Sequence, residues 1–330
     1  MRKDKLRKFY SILRPIYVPI SKSLSDKNYY TYRERRLQTS GTKYPDKTFY
    51  VVRRMNTKTT GLFSNYVYVL RGVHYAISKG YIPVVDFMNY PNAYLEEDEV
   101  GKINSWEYYF EQPCGYTLED IKGAKNVILG HGAFVNVKNP PINMPEFFDS
   151  QEKIDYWRRF AKKYCRVKPN IQKIIKTEKE KLIGENRDVL GVHCRGTGYH
   201  NPSFGGLMKQ PDICDVIKNV ECFCNQNSSS RILFFSEEQT LKDSMKRYFG
   251  DRIIMRESVV YDYVPEADKM IPKDSKITKF EDGLQYLIDM SILARCKYLI
   301  MGPTFGAVGV FIMSEGFDKA IVYNAGKKGE

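Results

Sequence analysis

The sequence predicts an α/β fold in two units, each a mostly parallel sheet with helices on its faces. Three observations carry that expectation. Short β-branched or apolar runs alternate with stretches of helical period through both halves of the chain. The stretch Asp188–Cys194 is apolar or small at Val189, Leu190, Gly191, Val192 and Cys194, as in a strand buried on both faces. At 330 residues there is room for two domains of ordinary size, and 42% hydrophobic and 14% aromatic residues suffice for their cores.

Taken in order, residues 1–24 interleave Arg2, Lys3, Lys5, Arg7, Lys8 and Arg14 with Leu6, Phe9, Tyr10, Ile12 and Leu13 at roughly helical spacing. That composition suits a basic amphipathic segment lying on an anionic membrane, ended at Arg14-Pro15. It lacks the long apolar stretch and small-residue cleavage site of a secretory signal. The polar, tyrosine-rich residues 25–46 read as a linker. Lys47–Arg53 reads as a strand, Asn56–Asn65 as a loop, Tyr66–Lys79 as a helix closed by Gly80, and Tyr81–Phe87 as the next strand. Together these make a βαβ unit. A short strand begins at Asn126, and Gln151–Leu182 is a charged helical stretch broken near Pro169. From Asp188 onward the chain alternates again. The expected helices are Pro211–Cys224, Leu241–Phe249, Lys279–Cys296 and Phe305–Met313, and the strands between and after them are Arg231–Ser236, Arg252–Arg256, Tyr298–Met301 and Ala320–Tyr323. The implied division is a basic segment and linker (1–46), a first α/β domain (47–150), a helical connection (151–187) and a second α/β domain (188–330).

Composition narrows the partners. Lys and Arg number 52 against 39 Asp and Glu, a net charge of +13, which suits nucleotides, nucleic acid or anionic membrane without choosing among them. No nucleic-acid-binding motif accompanies the charge, and no GxGxxG follows a strand, which disfavours dinucleotide binding by that route. The seven cysteines form no CxxC pair, and free thiols in a reducing cytoplasm are expected. Four scattered histidines and the lack of an Asp-x-Asp motif argue against a metal centre. The most apolar run, Tyr298–Met313, is interrupted by Gly302, Pro303 and Thr304 and is shorter than the roughly 20 residues a membrane span needs.

The most informative stretch is His193-Cys194-Arg195-Gly196-Thr197-Gly198. A cation at the end of a buried strand needs an anion, and ligands of open α/β sheets bind outside the carboxyl ends of strands. On the residues alone that anion is either a ligand phosphate or a nearby carboxylate. The stretch resembles the His-x-Arg-x-Thr/Gly motif of the fucosyltransferase superfamily, which comprises α-1,6-fucosyltransferases, rhizobial nodulation fucosyltransferases and protein O-fucosyltransferases. The resemblance spans about residues 47–316. It implies a GT-B-like arrangement of two Rossmann-like domains facing a cleft, with GDP-fucose as donor. It puts Arg195 on the diphosphate and His193, Gly196 and Thr197 beside the nucleotide. Where several members carry an aspartate this chain has Gly198, so that residue's role has no bearer here.

Further matches follow. Gly61-Leu62-Phe63-Ser64-Asn65 resembles the family's glycine-bearing loop, which places Gly61, Ser64 and Asn65 across from the donor; on the residues alone, Ser64 or Asn65 caps the helix. The stretches 86–94 and 104–110 resemble acceptor-side regions of bacterial capsule and lipopolysaccharide glycosyltransferases. Their aromatics Tyr90, Tyr94, Trp106, Tyr108, Tyr109 and Phe110 either stack on sugars or fill a core. Glu237 and Glu238 follow a strand, where they contact ribose or base hydroxyls or simply start a helix. Asp289, alone among Leu287, Ile288, Met290 and Ile292, needs a partner. The resemblance offers guanine, and the residues alone allow an arginine. Thr304, Phe305 and Gly306 open a helix whose N–H groups suit an anion, and the resemblance puts the donor's β-phosphate there.

The implied reaction is an inverting, metal-free displacement of GDP by a glycan acceptor, lipid-linked or free, by a cytoplasmic enzyme with peripheral membrane contact and no cofactor besides its donor. Asp86, Glu107 and His200 are the candidates for the general base. Two alternatives remain open: another nucleotide sugar, or a non-catalytic glycan- or membrane-binding protein on the same fold.

Overall fold

A computed structural model describes residues 35–38, 41–54, 57–130, 142–196, 208–227, 231–258, 260–264, 269–273, 276–324 and 326. The amphipathic segment 1–24, Thr197, Gly198 and His200 lie outside them.

The first unit is a four-stranded sheet in the order β1-β4-β2-β3, from β1 (Arg35–Gln38), β2 (Phe49–Arg53), β3 (Ile82–Asp86) and β4 (Asn126–Leu129). Strand β2 is parallel to both β3 and β4, and β1 runs antiparallel along the β4 edge. That edge strand lies in the stretch read as linker. Helix α1 (Leu62–Ser78) crosses from β2 to β3. It begins four residues before the expected start, because Leu62 and Phe63 are 4% and 1% exposed and extend the apolar face into what the sequence suggests is loop. Gly61 takes the extended N-cap position, so the glycine-bearing segment is the cap and first turn of a helix. A short helix α2 (Trp106–Tyr109) follows, and α3 (Gln151–Tyr164) and α4 (Pro169–Ile183) then lead to the second unit. Ser150 caps α3 by accepting from the Lys153 N–H, and Pro169 opens α4 where its missing N–H costs nothing.

The second unit is a five-stranded parallel sheet in the order β11-β10-β5-β6-β7, built from β5 (Val189–His193), β6 (Arg231–Phe235), β7 (Ile253–Ile254), β10 (Tyr298–Met301) and β11 (Lys319–Val322). A hairpin of β8 (Tyr261–Val264) and β9 (Lys269–Pro272) stands apart from it. Alternate residues of each strand face opposite layers. Leu190, Val192, Ile232, Phe234 and Ile300 pack under α5 (Ile213–Gln226) and α6 (Gln239–Phe249). Val189, Leu233, Phe235, Leu299 and Met301 face α7 (Lys279–Leu293) and α8 (Phe305–Met313). That second layer is continuous with α1, α3 and α4, so a single apolar core joins the two units. None of the described helices is long and apolar enough to cross a membrane.

Candidate active site

Strand order in the second sheet reverses between β5 and β10: the chain runs outward through β6 and β7, then returns to β10 and β11 on the other side. A parallel sheet opens a crevice at such a point, outside the carboxyl ends of its strands. The β5 end delivers His193, Cys194, Arg195 and Gly196, the β6 end delivers Glu237 and Glu238, and the β10 end delivers Gly302, Pro303 and Thr304 ahead of α8.

Arg195 Nη1 donates to Glu237 Oε1 at 2.9 Å and to the Tyr286 hydroxyl of α7 at 3.4 Å. Glu237 is therefore the carboxylate that meets this cation. The pair retains 20% and 19% side-chain exposure, so a solvent-borne anion can compete for the guanidinium. His193 is 2% exposed, and burial, aided by the Arg195 charge, pushes its pKa down to about 3. It is a neutral imidazole at the strand end, with Nδ1 buried and unpartnered among the described residues. Gly196 lies tight against Glu238: a Cβ there would fall 2.6 Å from Glu238 Oε2 and 3.1 Å from Glu238 Cβ, so that side chain would have to shift.

The head of α8 stands beside these groups. Thr304, buried, caps the helix by accepting from the Ala307 N–H at 3.1 Å, while its own hydroxyl proton can be donated outward. The N–H groups of Phe305 and Gly306, in the first turn, have no acceptor within the helix. A Cβ on Gly306 would sit 2.4 Å from the Tyr286 hydroxyl, so the phenol tip rests on this glycine. The Arg195 guanidinium, the Tyr286 hydroxyl and the α8 head thus converge. Tyr286 escapes sequence reading because only tertiary packing brings it to the strand end.

The first unit approaches from the other side. The Phe63 ring meets Tyr286 edge-on at 5.6 Å, and a Cβ on Gly309 of α8 would fall 2.1 Å from Phe63 Cδ1. Ser64 and Asn65 belong to the first turn of α1, and neither caps it. Arg54 Nη1 donates to Ser64 Oγ at 3.2 Å and to Asn65 Oδ1 at 3.1 Å, and Asn65 Nδ2 donates to the Thr60 carbonyl at 3.2 Å. Burial lowers the Arg54 pKa, and no carboxylate pairs with it among the described residues. Its sequence signal is the one that marks Arg195, a cation just beyond a buried strand.

Asp289 is buried and receives Arg256 Nε at 2.8 Å and Nη2 at 2.6 Å, both on Oδ1. The arginine partner left open by the sequence is therefore present, and guanine cannot take both carboxylate oxygens unopposed. No hydrogen bond among the described residues falls on Oδ2. Burial pushes this carboxyl up to about 6 against the pull of Arg256, so it is ionised at neutral pH. Lys242, buried on α6, stands nearby and donates to Ser258 Oγ at 3.0 Å.

The base candidates fare differently. Asp86 accepts from the Met88 and Asn89 N–H groups and from Asn89 Nδ2, holding its own turn. Glu107 accepts from Asn104 Nδ2 at 3.0 Å and Gln112 Nε2 at 2.7 Å. Asp86 is thus bonded on both oxygens, and Glu107 on Oε1. Trp106, Tyr109 and Phe110 lie in the core, with Trp106 and Phe110 stacked at 4.4 Å, so these three have no face for sugar. Tyr108 donates to Glu99 Oε2 at 2.8 Å.

No family model matches the chain, and no curated protein matches it. Solved structures do. The chain is similar to fucosyltransferases of known structure. The NodZ α-1,6-fucosyltransferase soaked with GDP-fucose is 18% identical at a TM-score of 0.49, over 86% of this chain and 98% of that one. A FUT1 mutant of Arabidopsis thaliana in complex with GDP is 10% identical at 0.48, over 98% and 80%. The apo form of POFUT1 is 10% identical at 0.45, over 86% and 99%.

Proposed function

We propose that the chain is a glycosyltransferase that displaces a nucleoside diphosphate from a sugar, with GDP-fucose as donor and a glycan hydroxyl as acceptor. The single observation that supports this best is the convergence of Arg195, the Tyr286 hydroxyl and the α8 head at the switch point of a parallel sheet. A diphosphate leaving group develops charge as the sugar–oxygen bond breaks, and fixed donors aimed at that charge lower the barrier. GDP and fucose follow from the motif resemblance around Arg195. Asp289 Oδ2 would accept from the guanine edge while Oδ1 stays with Arg256, and Ser64 and Asn65, held by Arg54, would face the sugar.

In this reading the displacement inverts the anomeric centre, and the cationic and N–H donors carry the charge without a metal, so GDP release should persist in EDTA. The acceptor is a capsule, lipopolysaccharide or similar glycan, and the enzyme works in the cytoplasm. Residues 1–24 would hold it near anionic lipid, so their removal should abolish liposome association at low salt and spare GDP binding.

The test of the central claim is calorimetry with GDP and chromatographic detection of GDP released from GDP-fucose, for the wild type and Arg195→Ala. Loss of one aimed donor is expected to slow release at least a hundredfold, about 3 kcal/mol, with the fold intact by circular dichroism. Release by the variant within threefold of wild type would make Arg195 structural.

A further inference from the structure

The proposed reaction needs a base for the acceptor hydroxyl; of the expected carboxylates, Asp86 is bonded on both oxygens, and Glu107, bonded on Oε1, is tied to Asn104 and Gln112 of the first unit and has no contact with the Arg195 surface among the described hydrogen bonds. Helix α7 offers another. Its first turn is fixed by a capping box in which Thr278 Oγ1 accepts from the Glu281 N–H at 3.2 Å and Glu281 Oε2 accepts from the Thr278 N–H at 2.9 Å. Asp282 follows on that turn, four residues before Tyr286, so the two lie on one face of the helix a turn apart. The helix that presents a hydroxyl to Arg195 thus presents a carboxylate beside it.

The surroundings of Asp282 are specific. Tyr261 of β8 donates its hydroxyl to Asp282 Oδ1. The backbone N–H of the same tyrosine donates to the Glu237 carbonyl at 2.9 Å, tying the hairpin to the residue that pairs with Arg195. No hydrogen bond among the described residues falls on Asp282 Oδ2. From the first unit, Tyr94 and Tyr109 face the group; Tyr94 lies 2.7 Å and the Tyr109 hydroxyl 2.3 Å from where a Cβ on Gly283 would fall. One oxygen is therefore anchored, and the other accepts no hydrogen bond among the described residues.

We propose that Asp282 is the general base that takes the proton of the attacking hydroxyl, a role that rests on the glycosyltransferase reading. The acceptor O–H proton passes to Oδ2 as the acceptor oxygen forms its bond to the anomeric carbon. The bond from that carbon to the diphosphate breaks, and its electron pair leaves with GDP, whose charge meets Arg195 and the α8 N–H groups. Burial, and secondarily the Glu237 charge, push the Asp282 carboxyl up to about 6. That places it near the pH at which a base is both mostly deprotonated and strong enough to accept a proton. The charged or titratable groups facing it are Glu237, Tyr261, Tyr94 and Tyr109.

The experiment uses the full chain, GDP-fucose as donor, and either water or azide as nucleophile. Azide carries no proton to remove, so it bypasses a missing base but not a damaged donor site. For Asp282→Asn, GDP affinity by calorimetry is expected to match wild type, GDP release with water to fall about a hundredfold, and azide to restore release with formation of fucosyl azide. In wild type, release with water should fall below about pH 6, and that limb should be absent from the azide reaction of the variant. Release with water within threefold of wild type, or failure of azide to restore it while GDP still binds, would overturn the assignment. A wild-type chain that neither binds GDP nor releases it would instead overturn the glycosyltransferase reading, and this assignment with it.

Discussion

Glu237→Gln separates two roles for the residue that neighbours Arg195. The carboxylate lies 2.9 Å from the guanidinium, in the place a diphosphate oxygen would take. Two unit charges about 4 Å apart interact by roughly 4 kcal/mol at an effective dielectric near 20. A phosphate arriving beside Arg195 meets that repulsion from Glu237, reduced by salt and by the pair's 19–20% exposure. About 1.4 kcal/mol surviving that screening is a tenfold change in affinity. The amide retains an oxygen that accepts from Arg195, so the strand end keeps its geometry. Calorimetry should show GDP binding about tenfold tighter in the variant at low ionic strength, with the gain shrinking as salt rises. Removing the Glu237 charge also withdraws one of the two causes that raise the Asp282 carboxyl, so the acid limb of the pH–rate profile should move to lower pH. If Glu237 instead accepts from ribose hydroxyls, the substitution weakens GDP binding. Unchanged or weaker binding, with the unfolding midpoint preserved, would refute the competitor role.

Three further outcomes follow from the same geometry. Asp289→Asn should cost about 3 kcal/mol in urea unfolding, because it leaves Arg256, with 10% side-chain exposure, as an uncompensated charge; a loss below about 0.5 kcal/mol would mean that Arg256 finds another anion. His193 titrates at about 3 when folded and near 6.5 when unfolded, so the folded state binds fewer protons between those values and stability falls as pH drops through that window. The stability of wild type relative to His193→Gln should therefore decline by about 1.4 kcal/mol per pH unit below 6.5, and a difference flat between pH 6.5 and 5 would contradict a buried neutral imidazole. Gly309→Ala should cost about 2 kcal/mol through overpacking against Phe63, and Phe63→Leu in the same chain should recover part of it; strict additivity of the pair would rule out that contact as the cause.

How much of this was legible depends on where the information lies. Buried parallel strands leave continuous apolar runs, and Phe49–Arg53, Ile82–Asp86, Val189–His193, Arg231–Phe235 and Tyr298–Met301 all fall inside stretches read as strands. Arg195 was legible because a cation directly after such a run violates the pattern. The sequence places the start of α1 too late because Gly61 and Thr60 look like loop, while Phe63 is buried against Gly309 of α8, more than 200 positions away. The hairpin of β8 and β9 has no clean alternation of apolar and polar residues to announce it. The partners of the site residues are the least legible. Glu237 is 42 positions from Arg195 and Tyr286 is 91, and helical periodicity marks the core face of α7 through Leu287 and Met290, leaving the face that carries Asp282 and Tyr286 undistinguished.

The choice of Glu237 as Arg195's partner bears on how such a site stays intact when empty. A guanidinium at a buried strand end with no counter-charge would be strongly unfavourable, and the crevice would rearrange to relieve it. A carboxylate on the neighbouring strand end removes that pressure and competes with the ligand in doing so. The rest of the surface is fixed by packing: the Tyr286 hydroxyl rests on Gly306, Phe63 wedges between Tyr286 and Gly309, and one apolar core runs beneath them from α1 to α8. Donors held this way need no reorganisation when charge develops on a leaving group. On the glycosyltransferase reading, diphosphate binding would exchange one anion for another at Arg195, and the Glu237 carboxylate so released would stand beside Asp282, whose proton affinity its charge raises.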